Sequence, residues 1–217
     1  SHTVIQSRKI AATIKVIPFS LPETVVCEAE AIAAESGPVI QLYPLQLRTA
    51  ALILSSSPFA KQRVTDDFVP ALQARIESLG SELRSIDFVP LEDEAGEVAL
   101  AETIQERIAE GTEIIILAGE TAIMDRYDIV PRAVERAGGE VTCYGAPVDP
   151  GNLLMIAYVD KVPILGAPGC VRSQKMNVID WVLPPLLAGD HLSRKDIIQM
   201  GHGGLLEDIS KRPMPRE

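Results

Sequence analysis

The chain has few of the residues from which metal and redox sites are built: three cysteines and three histidines in 217 residues. Cys27, Cys143 and Cys170 lie far apart without CxxC spacing, and the histidines show no HxxxH spacing. An odd number of unpaired cysteines argues against a disulfide framework. Neither spacing offers the ligands of a zinc ion. We therefore expect reduced thiols and no zinc centre.

Positive charge is also scarce, because 30 acidic residues face 20 basic ones and the formal net charge is −10. That balance disfavours nucleic acid and anionic membranes as partners. No apolar run approaches the roughly 20 residues needed to span a bilayer, and the first residues lack the charged-then-apolar order of a signal peptide. We expect a cytoplasmic protein that binds neither nucleic acid nor membrane.

Three common fingerprints, GxGxxG, GxxxxGK[ST] and GxSxG, do not occur, which argues against the usual dinucleotide, P-loop and hydrolase sites. What the chain does contain is an alternation of short apolar runs with helical patterns. The runs predict strands at 12–18, 49–55, 81–89, 113–118, 141–148, 153–159 and 162–165. The patterns between them predict helices at 22–35, 65–79, 98–110, 128–137, 173–187 and 193–200. This order predicts an α/β domain with a mostly parallel sheet, helices on both faces and an edge hairpin.

One apolar run ends in a polar stretch, LAGETAIMDRYD, at residues 117–128. Ligands of open α/β sheets lie beyond the carboxyl ends of the strands, where free N–H groups receive anions. Asp125 and Asp128 are candidates for holding Mg²⁺ or orienting a water. Asp128 is explained equally well as the N-cap of the next helix. Glu120 is a second candidate acid, or an exposed loop carboxylate without a role.

Another strand is followed by Ser55-Ser56-Ser57-Pro58. Hydroxyls and successive N–H groups in such a run can cradle phosphate, although serine-rich loops are common. Cys170 is interpreted as a small buried hydrophobe rather than a nucleophile, and His202 as a loop residue.

A further strand end, ILGAPGCVRS at residues 164–173, has a similar design. Pro168 and Gly169 form a turn that lets the backbone approach a ligand closely. Arg172, Ser173 and Lys175 bring positive charge and donors to the same place. The alternative is a tight turn with solvated bases.

These stretches resemble the molybdopterin-binding domain of molybdenum-cofactor biosynthesis proteins of the MogA, MoeA and gephyrin types, over about residues 48–189. GETAIMDRYD stands at the family's glycine-rich acidic motif, and GAPGCVRS at its LPGNP-like turn. The resemblance implies a three-layer α/β/α sandwich that binds molybdopterin or adenylylated molybdopterin. It gives the acid role, with Mg²⁺, to Asp125 and Asp128. The cradling role falls to Gly119, Thr121, Gly169 and Ser173. Here Glu120, Ala122, Met124 and Arg126 depart from the family's pattern.

A narrower likeness comes from four motifs in this order: PVDPGNLL, GAPGCVRS, DWVL and MGHGGLL. Together they are similar to the module that precedes the nucleotidyltransferase domain in fused molybdenum cofactor cytidylyltransferase-like proteins. Ser1-His2 and the charged, proline-containing tail then suggest a module cut from a longer protein. We expect an N-terminal extension at 1–47, the binding domain at 48–189, and a C-terminal extension and linker at 190–217.

The resemblance implies work in molybdenum cofactor biosynthesis at the molybdate-insertion step, either as an insertase-like transferase or as a molybdopterin adenylyltransferase. Its partners would be molybdopterin, ATP or AMP, molybdate, and copies of itself in a dimer or trimer. Two alternatives stay open: a non-catalytic module for cofactor hand-off or assembly, and a nucleotide-pyrophosphate hydrolase of the same fold.

Overall fold

The computed structural model describes residues 4–10, 12–13, 15, 18–35, 37–38, 40–91 and 94–206. The chain divides into two compact units, Ser1–Pro44 and Leu45–Glu217. The first contains helix α1, Glu23–Glu35, where a helix was predicted. The strand predicted at 12–18 lies partly outside the described residues, and residues 12, 13, 15 and 18 are not in a strand.

The second unit is built on a six-stranded sheet with the order β2-β1-β3-β6-β5-β4. Its strands are β1 Thr49–Ser56, β2 Glu82–Pro90, β3 Ile114–Gly119, β4 Glu140–Tyr144, β5 Met155–Val159 and β6 Val162–Gly166. Neighbours among β2, β1, β3 and β6 are parallel, and β5 is antiparallel to both β6 and β4. The predicted mostly parallel sheet with a hairpin is confirmed, with β4 outside the hairpin as the edge strand.

Among the described residues of this unit, five helices surround the sheet: α2 Lys61–Ser78, α3 Glu94–Ala109, α4 Ile129–Arg136, α5 Ile179–Leu187 and α6 Arg194–Gln199. Short 3₁₀ turns lie at Pro58–Ala60 and Gly169–Arg172. As predicted, Gly80 and Gly138 follow the ends of α2 and α4, with φ of +81° and +89°. Within the described ranges, none of the helices combines the length and the apolar character that a bilayer crossing requires.

Four predicted boundaries were wrong. Helix α3 begins at Glu94 rather than residue 98, because the helix starts one turn before the apolar pattern, with Glu94 and Glu97 in its first turn, where acidic side chains are favoured. Helix α2 begins at Lys61 rather than residue 65, because the turn that starts at Pro58 leads directly into it. Helix α5 begins at Ile179 rather than residue 173, because hydrogen bonds hold the preceding residues in a loop. Strand β4 ends at Tyr144, while the apolar pattern continues to Val148, which is buried in a loop.

The core lies on both faces of the sheet. Ala50, Leu52 and Leu54 face α2 and α5, while Ala51 and Ile53 face α3 and α4. Because the central strands are covered on both sides, their sequences are continuous apolar runs rather than alternating ones. The predicted three-layer α/β/α arrangement is therefore confirmed.

A buried ion pair joins α3 to α4. The side chain of Glu97 is 4% exposed and accepts a hydrogen bond from Arg136 Nε at 2.8 Å, with Arg132 as a second partner. These contacts join α3 to the middle and the last residue of α4, the helix that follows the acidic stretch at 119–128.

The segment after α6 contacts the loop between β4 and β5. The Asp149 N–H donates to the Gly204 carbonyl at 2.8 Å, and the Leu206 N–H donates to the Asp149 carbonyl at 2.9 Å. Two motifs of the narrower resemblance, PVDPGNLL and MGHGGLL, are thus in contact. Of the predicted extension at 190–217, residues 207–217 lie outside the described residues.

Candidate ligand-binding site at the strand ends

The carboxyl ends of β1, β3 and β6 are neighbours in the sheet. Ser55 pairs with Gly119, and Leu117 pairs with Gly166. Because the strands are parallel, the loops that follow them leave the sheet at one edge, which we call the site edge. We name them the serine loop (residues 55–60), the acid loop (119–128) and the Pro-Gly loop (167–178).

The acid loop is closed by Asp128. Its Oδ2 accepts hydrogen bonds from the N–H groups of Met124 at 2.7 Å and Asp125 at 3.0 Å. Asp128 also occupies the N-cap position of α4, but its side chain makes no bond to the helix. The carboxylate therefore shapes the loop rather than capping the helix.

Asp125 is exposed at the tip of the acid loop. Its Oδ1 accepts the Tyr127 N–H at 2.7 Å, and none of the described residues donates to its Oδ2. Thr121 is exposed on the same loop, and its hydroxyl has no hydrogen-bond partner among the described residues. Both side chains thus keep polar atoms available on the surface of the loop.

Tyr144, which the sequence did not single out, fixes the acid loop from the end of β4. Its hydroxyl donates to the Ile123 carbonyl at 2.7 Å. Burial, and then the charges of Asp128 and Asp125, raise the pKa of the Tyr144 phenol, so it stays a neutral donor. Ile123 also packs against Gly166, where an added Cβ would lie 2.5 Å from Ile123 Cδ1.

Glu120 joins the acid loop to the serine loop. Its Oε2 accepts hydrogen bonds from the Ser57 N–H at 3.3 Å and the Ser57 hydroxyl at 3.0 Å. Its Oε1 accepts from the Arg63 guanidinium. Glu120 is therefore not a loop carboxylate without contacts.

The two candidate serines of the serine loop are buried. Ser55 is 6% and Ser56 is 4% exposed. The Ser55 hydroxyl lies 3.5 Å from the Ala118 carbonyl, and the Ser56 hydroxyl donates to the Ser57 carbonyl at 2.8 Å. Ser57, between them and the turn, is the serine that presents donors at the site edge.

The two glycines predicted to cradle a ligand differ in what surrounds them. A Cβ added at Gly119 would lie 2.5 Å from the Ser55 carbonyl oxygen, so the packing of β3 on β1 requires glycine there. At Gly169 an added Cβ would have its nearest neighbour, Arg172, at an ordinary 3.5 Å. The backbone at Gly169 is thus open on that side, beside the buried Pro168.

The basic residues of the Pro-Gly loop point in different directions. Arg172 donates to the Gly169 carbonyl at 2.9 Å, and its guanidinium lies 3.5 Å from Asp67 and over the ring of Phe68. The Lys175 ammonium is exposed and has no partner among the described residues, while the Lys175 N–H donates to the Ser173 hydroxyl.

Arg75 holds the Pro-Gly loop in place, although nothing in the sequence distinguished it from a surface residue of α2. It is 9% exposed. Its Nε donates to Asp180 at 2.9 Å, and its other nitrogens donate to the carbonyls of Ala71, Val171, Ser173 and Lys175. All five N–H groups of the Arg75 guanidinium donate to groups of the protein, so Arg75 has a structural role.

One cavity lies outside the three-loop site, and a second borders the Pro-Gly loop. One of about 370 Å³ is lined by Gly138, Tyr158 and His191, at the opposite edge of the sheet. One of about 250 Å³ lies between Arg75 and Gln174, on the α2 side of the Pro-Gly loop. The described part of the chain contains no group of three or more His, Cys, Asp or Glu side chains that could hold a metal ion.

Comparison with known proteins gives one family match and similarities to solved structures. The family described as "probable molybdopterin binding domain" matches residues 50–188. The solved molybdopterin biosynthesis MoeA protein from Pyrococcus horikosii is 19% identical and is matched over 65% of this chain, with a TM-score of 0.46. The match spans 35% of that MoeA chain. Molybdenum cofactor biosynthesis protein B is 15% identical over 74% of this chain and 95% of its own, with a TM-score of 0.37. Among curated proteins no match was found.

Proposed function

We propose that this chain, which belongs to the family described as a probable molybdopterin-binding domain, binds molybdopterin or its adenylylated form at the site edge. One observation carries this location: the ends of β1, β3 and β6 lie side by side, so the serine, acid and Pro-Gly loops leave the sheet together. Open α/β sheets bind ligands beyond the carboxyl ends of their strands. Family membership supports the choice of ligand, and the shared edge supports the place.

We assign the principal acid role to Asp125. Its exposed carboxylate has an oxygen, Oδ2, that accepts from none of the described residues. Asp128 contributes a second carboxylate while its Oδ2 closes the loop. On this assignment Asp125 faces the phosphate end of the ligand and Asp128 keeps Asp125 in position.

Magnesium fits this pair of acids only together with the ligand. Mg²⁺ usually binds to one or two carboxylates plus substrate phosphates and retains several waters. Asp125 and Asp128 meet that requirement, but the described residues offer no larger ligand set. When bound, the ion supplies charge neutralisation at the phosphate. We therefore expect Mg²⁺ to strengthen pterin binding and not to bind alone.

The Pro-Gly loop supplies the rest of the proposed cradle. The backbone at Gly169 is open to close approach, and the Lys175 ammonium is available to an anion. Ser173 lies between them. Arg172 is held by Asp67 and Phe68, so we assign it a smaller contribution to ligand binding.

Isothermal titration with molybdopterin, with and without Mg²⁺, tests the binding proposal. We expect micromolar or tighter binding that becomes about tenfold weaker in Asp125→Asn, equivalent to ~1.4 kcal/mol. The asparagine oxygen can still accept the Tyr127 N–H, so the loop is kept and only the charge is lost.

Asp160→Asn is the matched control for that titration. It removes the same charge from the hairpin at the opposite edge, where asparagine also tolerates the positive φ of 51°. Absence of binding to the unmodified chain, or equal losses in the two variants, would contradict the proposal.

The proposed reaction is molybdate insertion, in which the chain acts on an adenylylated pterin. The contact of Glu120 with Ser57 and Arg63 favours a second function, cofactor hand-off without chemistry, because a carboxylate lies where a phosphate would approach. Purified chain with Mg²⁺, molybdate and adenylylated molybdopterin distinguishes them. Conversion supports insertion, and binding without conversion supports hand-off.

A further inference from the structure

Three donors meet at the end of β1. The Ser57 N–H and hydroxyl point to one carboxylate oxygen, at 3.3 and 3.0 Å, and the Arg63 guanidinium points to the other oxygen of the same group. A backbone N–H, a hydroxyl and a guanidinium are together a donor set that suits phosphate oxygens. Among the described residues, only Glu120 accepts from these three donors.

The carboxylate that occupies this donor set is held at the surface. The Glu120 side chain is 32% exposed and that of Arg63 is 57% exposed. Ion pairs of this kind contribute about 0–1 kcal/mol to stability. Glu120 can therefore turn into water at little cost to the fold.

Glu113 offers a comparison at the opposite end of the same strands. Its Oε2 accepts hydrogen bonds from the Thr49 N–H at 2.9 Å and the Thr49 hydroxyl at 3.3 Å. No basic side chain pairs with Glu113 in the described part of the chain. Each glutamate thus accepts hydrogen bonds from the N–H and the hydroxyl of one residue. In the described part of the chain, a basic side chain joins these donors only at Glu120, where they could also bind a free anion.

We infer that Ser57 and Arg63 form a phosphate subsite that Glu120 keeps occupied, so that a phosphate group enters only when the Glu120 carboxylate leaves. This inference rests on the proposed function, because it takes the phosphate to belong to the ligand of the site edge. Glu120 then acts as a specificity residue: it lowers the affinity for free phosphate, while a ligand with further contacts to the acid and Pro-Gly loops can displace it. If the contacts of Glu120 contribute up to about 1 kcal/mol, Glu120 occupies the donors for up to about five-sixths of the time, and its removal increases the apparent affinity up to about sixfold.

Titration with inorganic phosphate tests the inference on the full chain. We expect Glu120→Ala to bind phosphate several-fold, up to about sixfold, more tightly than the unmodified chain. Glu120→Gln, which keeps an acceptor for Ser57 but loses the charge, should show a smaller gain. Adding Arg63→Ala to Glu120→Ala should remove the gain. Glu113→Ala, the matched control, should show none.

Circular dichroism establishes that each variant is folded. The inference is overturned if folded Glu120→Ala and Glu120→Gln bind phosphate no better than the unmodified chain, or if the gain survives the loss of Arg63. The phosphate titration needs no pterin, so the two ideas fail separately. If Glu120→Ala gains phosphate binding but no variant binds molybdopterin, the phosphate subsite is supported and the proposed function is contradicted.

Discussion

At the scale of single residues, the backbone decides what each acid can do. Asp125 and Asp128 are three positions apart and chemically identical. The Met124 and Asp125 N–H groups both donate to Asp128, while among the described residues only the Tyr127 N–H donates to Asp125. The sequence predicted a site at these two acids, but it could not separate them, because the separation depends on where the loop's N–H groups point.

Cysteine reactivity is a second property of single residues. Burial raises the pKa of the Cys170 thiol and of the Cys143 thiol, so less thiolate is present near neutral pH and alkylation is slow. Cys27 is exposed. We expect iodoacetamide at pH 7.5 to label Cys27 first, and labelling of the other two to increase as the pH is raised.

Peptide mass spectrometry over time measures this order, and unfolded chain serves as the control because burial no longer distinguishes the three thiols. The structure leaves Cys170 half-buried rather than fully buried as expected. Faster labelling of Cys170 than of Cys27 in folded protein would reveal an activated thiol and contradict the interpretation that Cys170 is not a nucleophile.

At the scale of elements, the buried ion pair of Glu97 links helix α3 to helix α4. Glu97→Gln removes the charge that Arg132 and Arg136 share but keeps the shape of the side chain. Buried hydrogen bonds to charged groups contribute ~1.5–3 kcal/mol. We expect the free energy of unfolding of Glu97→Gln to fall by an amount near the lower end of that range, because the two arginines are partly exposed and can reach water.

Guanidinium denaturation measures the change, with Glu135→Gln as its control. That variant breaks the exposed pair of Glu135 on α4 with Arg126 in the acid loop, 3.3 Å apart, and should cost no more than about 0.5 kcal/mol. Equal losses of unfolding free energy in the two variants would show that the burial of Glu97 does not strengthen its ion pairs.

The elements also show which boundaries could be predicted from the sequence. Strands β1 and β3 were predicted within one residue, because burial on both faces makes them continuous apolar runs. The start of α5 could not be predicted from the local sequence. Arg75 on α2, about a hundred positions earlier, hydrogen-bonds to residues 173 and 175 and holds this segment out of the helix. The predicted end of β4 was too late because Val148, an apolar residue of the following loop, is as buried as a strand residue.

At the scale of the whole molecule, the family resemblance drawn from GETAIMDRYD and GAPGCVRS is confirmed by the match over residues 50–188. The contact of Glu120 with Ser57 could not be predicted, since it needs the pairing of β1 with β3 and not only the order of the motifs. The link to a nucleotidyltransferase domain stays a prediction. Motifs along the chain thus identified the family, while the donors available at the site edge required the assembled sheet.

The division of the chain into Ser1–Pro44 and Leu45–Glu217 leads to a prediction for the molecule as a whole. Both hydrophobic clusters and all six strands belong to the second unit. We therefore expect a chain that starts at Leu45 to fold and to unfold in guanidinium with an m-value close to that of the full chain, because m follows the surface exposed on unfolding. A chain that starts at Ser57, and so lacks β1 from the middle of the sheet, is the control and should not fold. A markedly smaller m-value or a loss of cooperativity in the first fragment would mean that residues 1–44 complete the core, and the unit from Leu45 onward would then not be a domain in its own right.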